Sequence, residues 1–176
     1  MTETSADVTA AEEQLVYQRT VFINPPVTRQ WVKIKVFALP ADVDDQTALA
    51  LMIAHVRYRD SYGGTGDKDM IDIHGPYWLS AVAPSAFTVS DPAEVEALIR
   101  TWAEYDVRWY DADRQAMQRE VYPRIRGASV IYQLPDIREA AQHDWGGMIG
   151  QSTGFHEFVI IDRAAGELAL LVASDD

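Results

Sequence analysis

The chain of 176 residues contains no cysteine. This absence excludes disulfides, thiolate metal ligands and thiol nucleophiles, and it is compatible with a reducing compartment. No apolar stretch approaches the ~20 residues that a helix needs to cross a bilayer. Residues 1–11 also lack the positive charge and the apolar core of a signal peptide. We therefore expect a cytoplasmic protein that does not bind a membrane.

Positive charge is scarce, since 15 basic residues face 27 acidic ones and the formal net charge is -12. A field of this sign repels phosphate backbones, so we expect no direct binding of nucleic acid. The acidity is compatible with simple solubility, with attraction of basic partners, or with mimicry of nucleic acid toward a basic protein.

Recognisable catalytic motifs are also missing. The glycine spacing matches neither a P-loop nor a dinucleotide fingerprint, and no Gly-x-Ser-x-Gly elbow is present. We expect no cofactor, and the sequence favours a protein without enzymatic activity. The preferred hypothesis is an acidic binding or accessory protein that acts through protein–protein contacts, with another protein or with itself as a homo-oligomer.

The strongest structural signal is an apolar hairpin over residues 155–173. Two nearly continuous apolar runs flank the short polar segment 162–167, which contains Gly166. Such a pattern predicts paired antiparallel strands covered on both faces, and hence strands near the centre of a sheet.

Further strands and helices follow from periodicity. Residues 15–23 and 31–39 read as a second antiparallel pair, in which Lys33 and Lys35 alternate with apolar residues and predict one solvated face. Helices are expected over 46–58, from a cap at Ser90 or Asp91 to about 106, and over 111–121, where Pro123 and Gly127 end the last one. Short strands are expected over 70–73, 77–82 and 128–134, and a short helix over 135–142.

Together these elements predict a single α+β domain over residues 15–176. Its core is a mostly antiparallel sheet of about six or seven strands, with three or four helices packed on it. Residues 1–14 are polar and acidic, and we expect this tail to be disordered because it has little apolar area to bury.

The first candidate site is the glycine-rich segment 143–156, which precedes the hairpin. Its alternative interpretation is a long turn that needs glycine for backbone reasons. If it is a pocket, it makes the chain a small enzyme or ligand-binding protein, with acid–base groups that titrate near neutrality. The candidate catalytic residues are His143 and His156, and the candidate ligand-binding residues are Trp145, Gly146, Gly147, Ser152 and Thr153.

The second candidate is the pair Asp72 and His74. On a strand both would point to the same face, where a carboxylate and an imidazole could bind a divalent metal or act as base and orienting group. Two ligands are a weak signal without a third, so we expect no metal, and a solvent-exposed pair on an edge strand is the favoured interpretation.

Aromatic and basic residues interleave in two further segments. Tyrosine, tryptophan and arginine supply large contact areas at protein interfaces. The candidate contact residues are Arg57, Tyr58, Tyr62, Trp109 and Tyr110.

Overall fold

The terminal hairpin forms the middle of the main sheet. The computed structural model describes residues 5–26, 28–62, 72–104, 109–141, 150 and 154–175. Strands β7 (His156–Asp162) and β8 (Glu167–Asp175) pair in antiparallel register from His156 opposite Ala173 to Asp162 opposite Glu167. Both have neighbours on either side, so the predicted central position is confirmed.

The fold is α+β, as predicted, with a mostly antiparallel sheet of six strands. The order across the sheet is β1-β2-β8-β7-β6-β5. The remaining strands are β1 (Val16–Ile23), β2 (Gln30–Ala38), β5 (Thr88–Ser90) and β6 (Val130–Leu134), while β3 (Ile73–His74) and β4 (Tyr77–Trp78) form a separate two-stranded sheet. The predicted pairing of the first two strands is present, with a bulge between Tyr17 and Arg19.

Helices cover both faces of the sheet, because the central strands are apolar on both sides. On one face, here called the α2 face, α2 (Asp45–Ala54) packs Leu49 and Met52 against a cluster that includes Phe37 and Leu170. On the other, the α3 face, α3 (Pro92–Glu104) buries Val95 and Ile99 together with alternate residues of the same strands. Because side chains alternate along a strand, each central strand contributes every second residue to one core and the others to the second core.

The N-terminal segment differs from the sequence prediction of disorder. Residues 5–14 form helix α1 (Ser5–Gln14), which packs against α2. Few apolar side chains hold this helix in place: Ala11 is buried within it, and Leu15 is buried just after it. Tertiary packing thus orders a stretch whose composition offers little reason to fold.

The helical segment after residue 110 is also longer than predicted. Helix α4 (Asp111–Ala116) continues through a π-helical turn (Met117–Val121) into α5 (Tyr122–Gly127). Pro123 lies in the first turn of α5, where its missing N–H is tolerated, so the helix ends only at Gly127. A short helix α6 (Arg138–Ala141) follows β6.

Candidate functional site

A cluster of buried and half-buried polar side chains lies on the α2 face, beside the apolar core. It joins charged residues of β2 and β7 to the segment after α2 and to the small β3–β4 sheet. This polar cluster consists of Lys33, Lys35, Tyr58, Asp60, Tyr62, His74 and Glu157.

Glu157 is the centre of the deeper half of the polar cluster. It lies in β7 between Leu134 and Val172, on the same face as Val159. Its Oε1 accepts a hydrogen bond from the Tyr58 hydroxyl at 2.8 Å, and its Oε2 lies 2.7 Å from His74 Nε2. All three side chains are buried, and the rings of Tyr58 and His74 stack with centroids 3.6 Å apart.

The hydrogen-bond partners determine where the protons are. His74 Nδ1 lies 2.5 Å from the carbonyl oxygen of Tyr58, which can only accept, so Nδ1 carries a proton. A single further proton is then shared between Nε2 and Glu157 Oε2, either as an ion pair or as a neutral hydrogen bond. Burial, followed by the neighbouring Glu157, raises the pKa of Tyr58 well above its usual range, so Tyr58 remains the donor.

The backbone around His74 is fitted closely to the polar cluster. Gly75, in the turn between β3 and β4, has a φ of +51° and donates its N–H to the Asp60 carbonyl at 2.7 Å. A Cβ atom at this position would lie 2.6 Å from Cζ of Phe155. Glycine is therefore needed both for the left-handed conformation and for the close approach of the Phe155 ring.

The outer half of the polar cluster is built on Asp60. Its Oδ2 accepts hydrogen bonds from Lys33 Nζ at 2.6 Å and from Lys35 Nζ at 2.7 Å. Lys35 Nζ also donates to the Arg57 carbonyl at 2.5 Å. Burial alone would raise the pKa of Asp60, but the two ammonium groups, Lys35 above all, hold it well below its usual range.

These contacts correct the prediction that Lys33 and Lys35 mark a solvated face of β2. Residues 55–62, the segment after α2, cover this face. Lys35 is buried, while Lys33 retains a side-chain exposure of 27%. Alternation with apolar residues shows that two side chains share a face, but it does not reveal whether another layer of the protein covers that face.

Tyr62 packs against the outer half of the polar cluster. Its ring stacks on Trp31 with centroids 5.4 Å apart, and the Nζ atoms of Lys33 and Lys35 lie 5.2 and 5.0 Å from its centroid. Its φ of +57° is unusual for a bulky residue. The N–H of Tyr62 donates to Asp60 Oδ1 at 2.9 Å, and this bond helps to hold the strained conformation.

The buried position of Lys35 has a measurable consequence for stability. Burial lowers its pKa to about 8. Above pH 8 the unfolded chain, with a lysine pKa near 10.5, binds more protons than the folded protein, so the free energy of unfolding rises with pH. We expect a rise of about 1.5 kcal/mol between pH 8 and 9.5, relative to a Lys35→Met variant. Urea denaturation at several pH values measures this difference, and parallel pH profiles for the two proteins would contradict it.

The structure does not bring Asp72 and His74 together. Asp72 is exposed, whereas His74 is fully buried and uses both ring nitrogens within the polar cluster. The strand β3 spans only Ile73–His74, so the alternation on which the pair was predicted does not extend to Asp72. Among the described residues no group of three or more histidine, aspartate or glutamate side chains could hold a metal ion.

Most of the predicted pocket at 143–156 lies outside the described residues. This applies to His143, Trp145, Gly146, Gly147, Ser152 and Thr153. His156 begins β7 and is partly buried, with its ring packed closely against Gly154. The alternation of β7 directs His156 to the α3 face, opposite to Glu157, so it does not join the polar cluster.

The predicted contact residues divide into buried and exposed ones. Tyr58 and Tyr62 are buried, which removes both rings from the contact surface that the sequence predicts around them. Trp109 packs on the α3-face core and donates its indole N–H to the Ala103 carbonyl. Arg57 and Tyr110 are exposed, and the Arg57 guanidinium lies over the Tyr17 ring at 4.3 Å.

Strand β1 is one of the two edge strands of the main sheet, and its outer side is here called the open edge. It is eight residues long, and no strand of the described chain pairs with its outer side. Val16 and Phe22, which are apolar, are 50% and 57% exposed, and the strand contains no acidic residue and no proline. An edge of this kind presents unpaired backbone donors and acceptors to any extended chain that approaches it.

Comparison with protein-family models, with curated proteins and with solved structures gives no match for this chain. Within its described part, the protein has no helix with the length and apolar character needed to span a membrane.

Proposed function

We propose that this protein is an accessory protein that acts by binding another protein along the open edge of β1. The observation that supports this proposal best is that β1 is long, that its outer side pairs with no strand of the described residues, and that Val16 and Phe22 are exposed on it. Main-chain hydrogen bonds to a sheet edge supply affinity in strand addition, and exposed side chains at alternate positions supply specificity. A second copy of this chain is the other possible occupant of the same edge.

The polar cluster favours this proposal over catalysis at His74. A catalytic imidazole has to reach a reacting atom, but His74 is fully buried and both its nitrogens have partners. We propose that Tyr58, His74 and Glu157 keep the segment after α2 on the sheet. A pocket at residues 143–156 stays a prediction from the sequence.

A pair of matched variants tests the proposed surface. Phe22→Glu places a charge on the open edge, and Val89→Glu places the same charge on β5 at the opposite edge, where Val89 is 68% exposed. We expect the wild-type chain and Val89→Glu to capture the same protein from a lysate of the source cells. Phe22→Glu should lower that capture at least ~10-fold, because a charged group would have to be desolvated at the contact. Quantitative mass spectrometry measures the capture.

Thermal unfolding checks that both variants remain folded, since each substituted side chain is more than half exposed. Capture that Phe22→Glu leaves unchanged would show that the partner binds elsewhere. A wild-type chain that captures nothing and is monomeric in analytical ultracentrifugation would end the proposal.

A further inference from the structure

The open edge is basic, although the chain as a whole carries a net charge of -12. Three cationic side chains flank β1 on its two sides. Arg19 belongs to the strand itself and points to the α3 face, while Lys33 and Arg57 lie on the α2 face beside Phe22 and Tyr17. The one charged side chain of β1, Arg19, is opposite in sign to the net charge of the protein, and the strand has no acidic residue of its own.

Few carboxylates of the described residues form ion pairs with these cations. On the α2 face, Asp60 is shared between Lys33 and Lys35, with both Nζ atoms on the same oxygen. No ion pair between Arg57 and another described residue is present, and its guanidinium lies over the Tyr17 ring. The neighbouring His74–Glu157 pair adds no net charge, whichever of the two holds the shared proton.

The same imbalance recurs on the α3 face. Glu120, in the π-helical turn, pairs with Arg19 at 3.1 Å, with Arg124 at 2.9 Å and with Arg119 at 3.5 Å. Glu167 takes a second bond from Arg124, which still leaves three guanidinium groups against two carboxylates. Both flanks of β1 therefore have positive charge in excess of the described carboxylates that contact it.

We infer that the occupant of the β1 edge is an extended, acidic protein segment, whose aspartate or glutamate side chains meet Arg19, Lys33 and Arg57. This inference rests on the proposed function and specifies its partner. Charged groups at an interface select partners of complementary charge and penalise like charges. At physiological salt the screening length is about 8 Å, so the cations at the edge act on a bound strand more strongly than the distant acidic surface does.

The charges also favour an acidic segment over a second copy of this chain. In an antiparallel pair of two β1 strands, a twofold axis would bring together two copies of Arg19, Lys33 and Arg57 without an acidic group from either β1. Like charges so placed disfavour a second copy of this chain. A polyphosphate chain offers no backbone amides or carbonyls to the open strand, so it cannot extend the sheet.

A peptide selection tests the inference and does not require the natural partner to be identified. The probe is a library of random octapeptides displayed on phage, selected on the full chain at physiological salt. We expect the enriched peptides to be acidic and to slow hydrogen exchange of the amides of residues 16–23. The triple variant Arg19→Gln, Lys33→Gln and Arg57→Gln should weaken binding of an enriched peptide by about tenfold or more.

The control is Arg126→Gln, which removes one exposed cation whose partner is Glu96 and not the β1 flank. It should change the affinity less than about twofold. Neutral or basic peptides that protect residues 16–23 would overturn the inference while the proposed function stands. Protection of these amides without any peptide, together with a doubled mass, would assign the edge to a second copy and overturn it as well. Selection that yields no peptide protecting β1 would instead overturn the proposed function.

Discussion

Replacing Glu157 by alanine is expected to lower the free energy of unfolding by about 3–5 kcal/mol, the range seen when one partner of a buried ion pair is removed. The carboxylate accepts from the Tyr58 hydroxyl and shares a proton with His74, and all three side chains are buried. Alanine leaves the Tyr58 hydroxyl and His74 Nε2 without their hydrogen-bond partner, and both side chains are buried. Guanidinium chloride denaturation, followed by circular dichroism, measures the loss.

The matched variant Glu157→Gln keeps the size of the side chain and can still form hydrogen bonds, so it serves as the control for alanine. Its amide oxygen can still accept from Tyr58, and its NH₂ group can donate to Nε2 of a neutral His74. The Nδ1–H of His74 still donates to the Tyr58 carbonyl. We expect this variant to lose only about 1–2 kcal/mol. Equal losses for alanine and glutamine would show that the hydrogen bonds of Glu157 contribute little to stability.

Replacing Asp60 by asparagine is the second substitution with a large expected effect. It removes the charge that holds two ammonium groups, one of which, on Lys35, is buried. We expect a loss of about 3 kcal/mol at pH 7, because Lys35 must then be buried either as an unpaired charge or in its neutral form, without the carboxylate that pairs with it. Asparagine keeps an oxygen that can accept from the N–H of Tyr62, so the turn after Asp60 is retained. Urea denaturation at pH 7 gives the loss directly.

A double-mutant cycle assigns this loss to Lys35. Adding Lys35→Met to Asp60→Asn removes the buried cation, and we expect the double variant to recover most of the stability. Adding Lys33→Met instead should recover less, since Lys33 is partly exposed to solvent. If Lys35→Met gave no recovery, the loss in Asp60→Asn would have to come from the backbone at residues 60–62 and not from the buried charge.

Acid should weaken the wild-type protein through the same group. The pKa of Asp60 is held below its usual range in the folded state, so the unfolded chain takes up the proton first as the pH falls. The stabilisation that Asp60 provides is therefore complete above about pH 4 and is lost progressively below it. This pH dependence should be weaker in the Asp60→Asn variant.

The central hairpin could be predicted from the sequence because its signal is local and redundant. Residues 158–161 and 168–172 are apolar at nearly every position, which fits only a strand covered on both faces. The start of α3 was also predictable, because Asp91 accepts from the N–H groups of Ala93 and Glu94, as a capping residue does.

The polar cluster could be anticipated only in part. A carboxylate at 157, in phase with Val159 and Ile161 along an apolar strand, is a signal of burial that the sequence prediction missed. Its partners were not predictable, because Tyr58 and His74 lie 99 and 83 positions away along the chain. The same distance in sequence explains why His74 was paired with nearby Asp72 and not with Glu157.

Local patterns by themselves determined the fold class, the central hairpin and the acidity of the chain, because hydrophobic period and charge are properties of neighbouring residues. Only the tertiary structure decided that Lys35 and Glu157 are buried, that residues 5–14 form a helix against α2, and that β1 lies at an edge of the sheet. Each of these depends on which distant segment covers a strand face or lies beside an edge. These outcomes depend on the free energy of packing of the whole domain, which sums contacts between distant segments and cannot be read from any one of them.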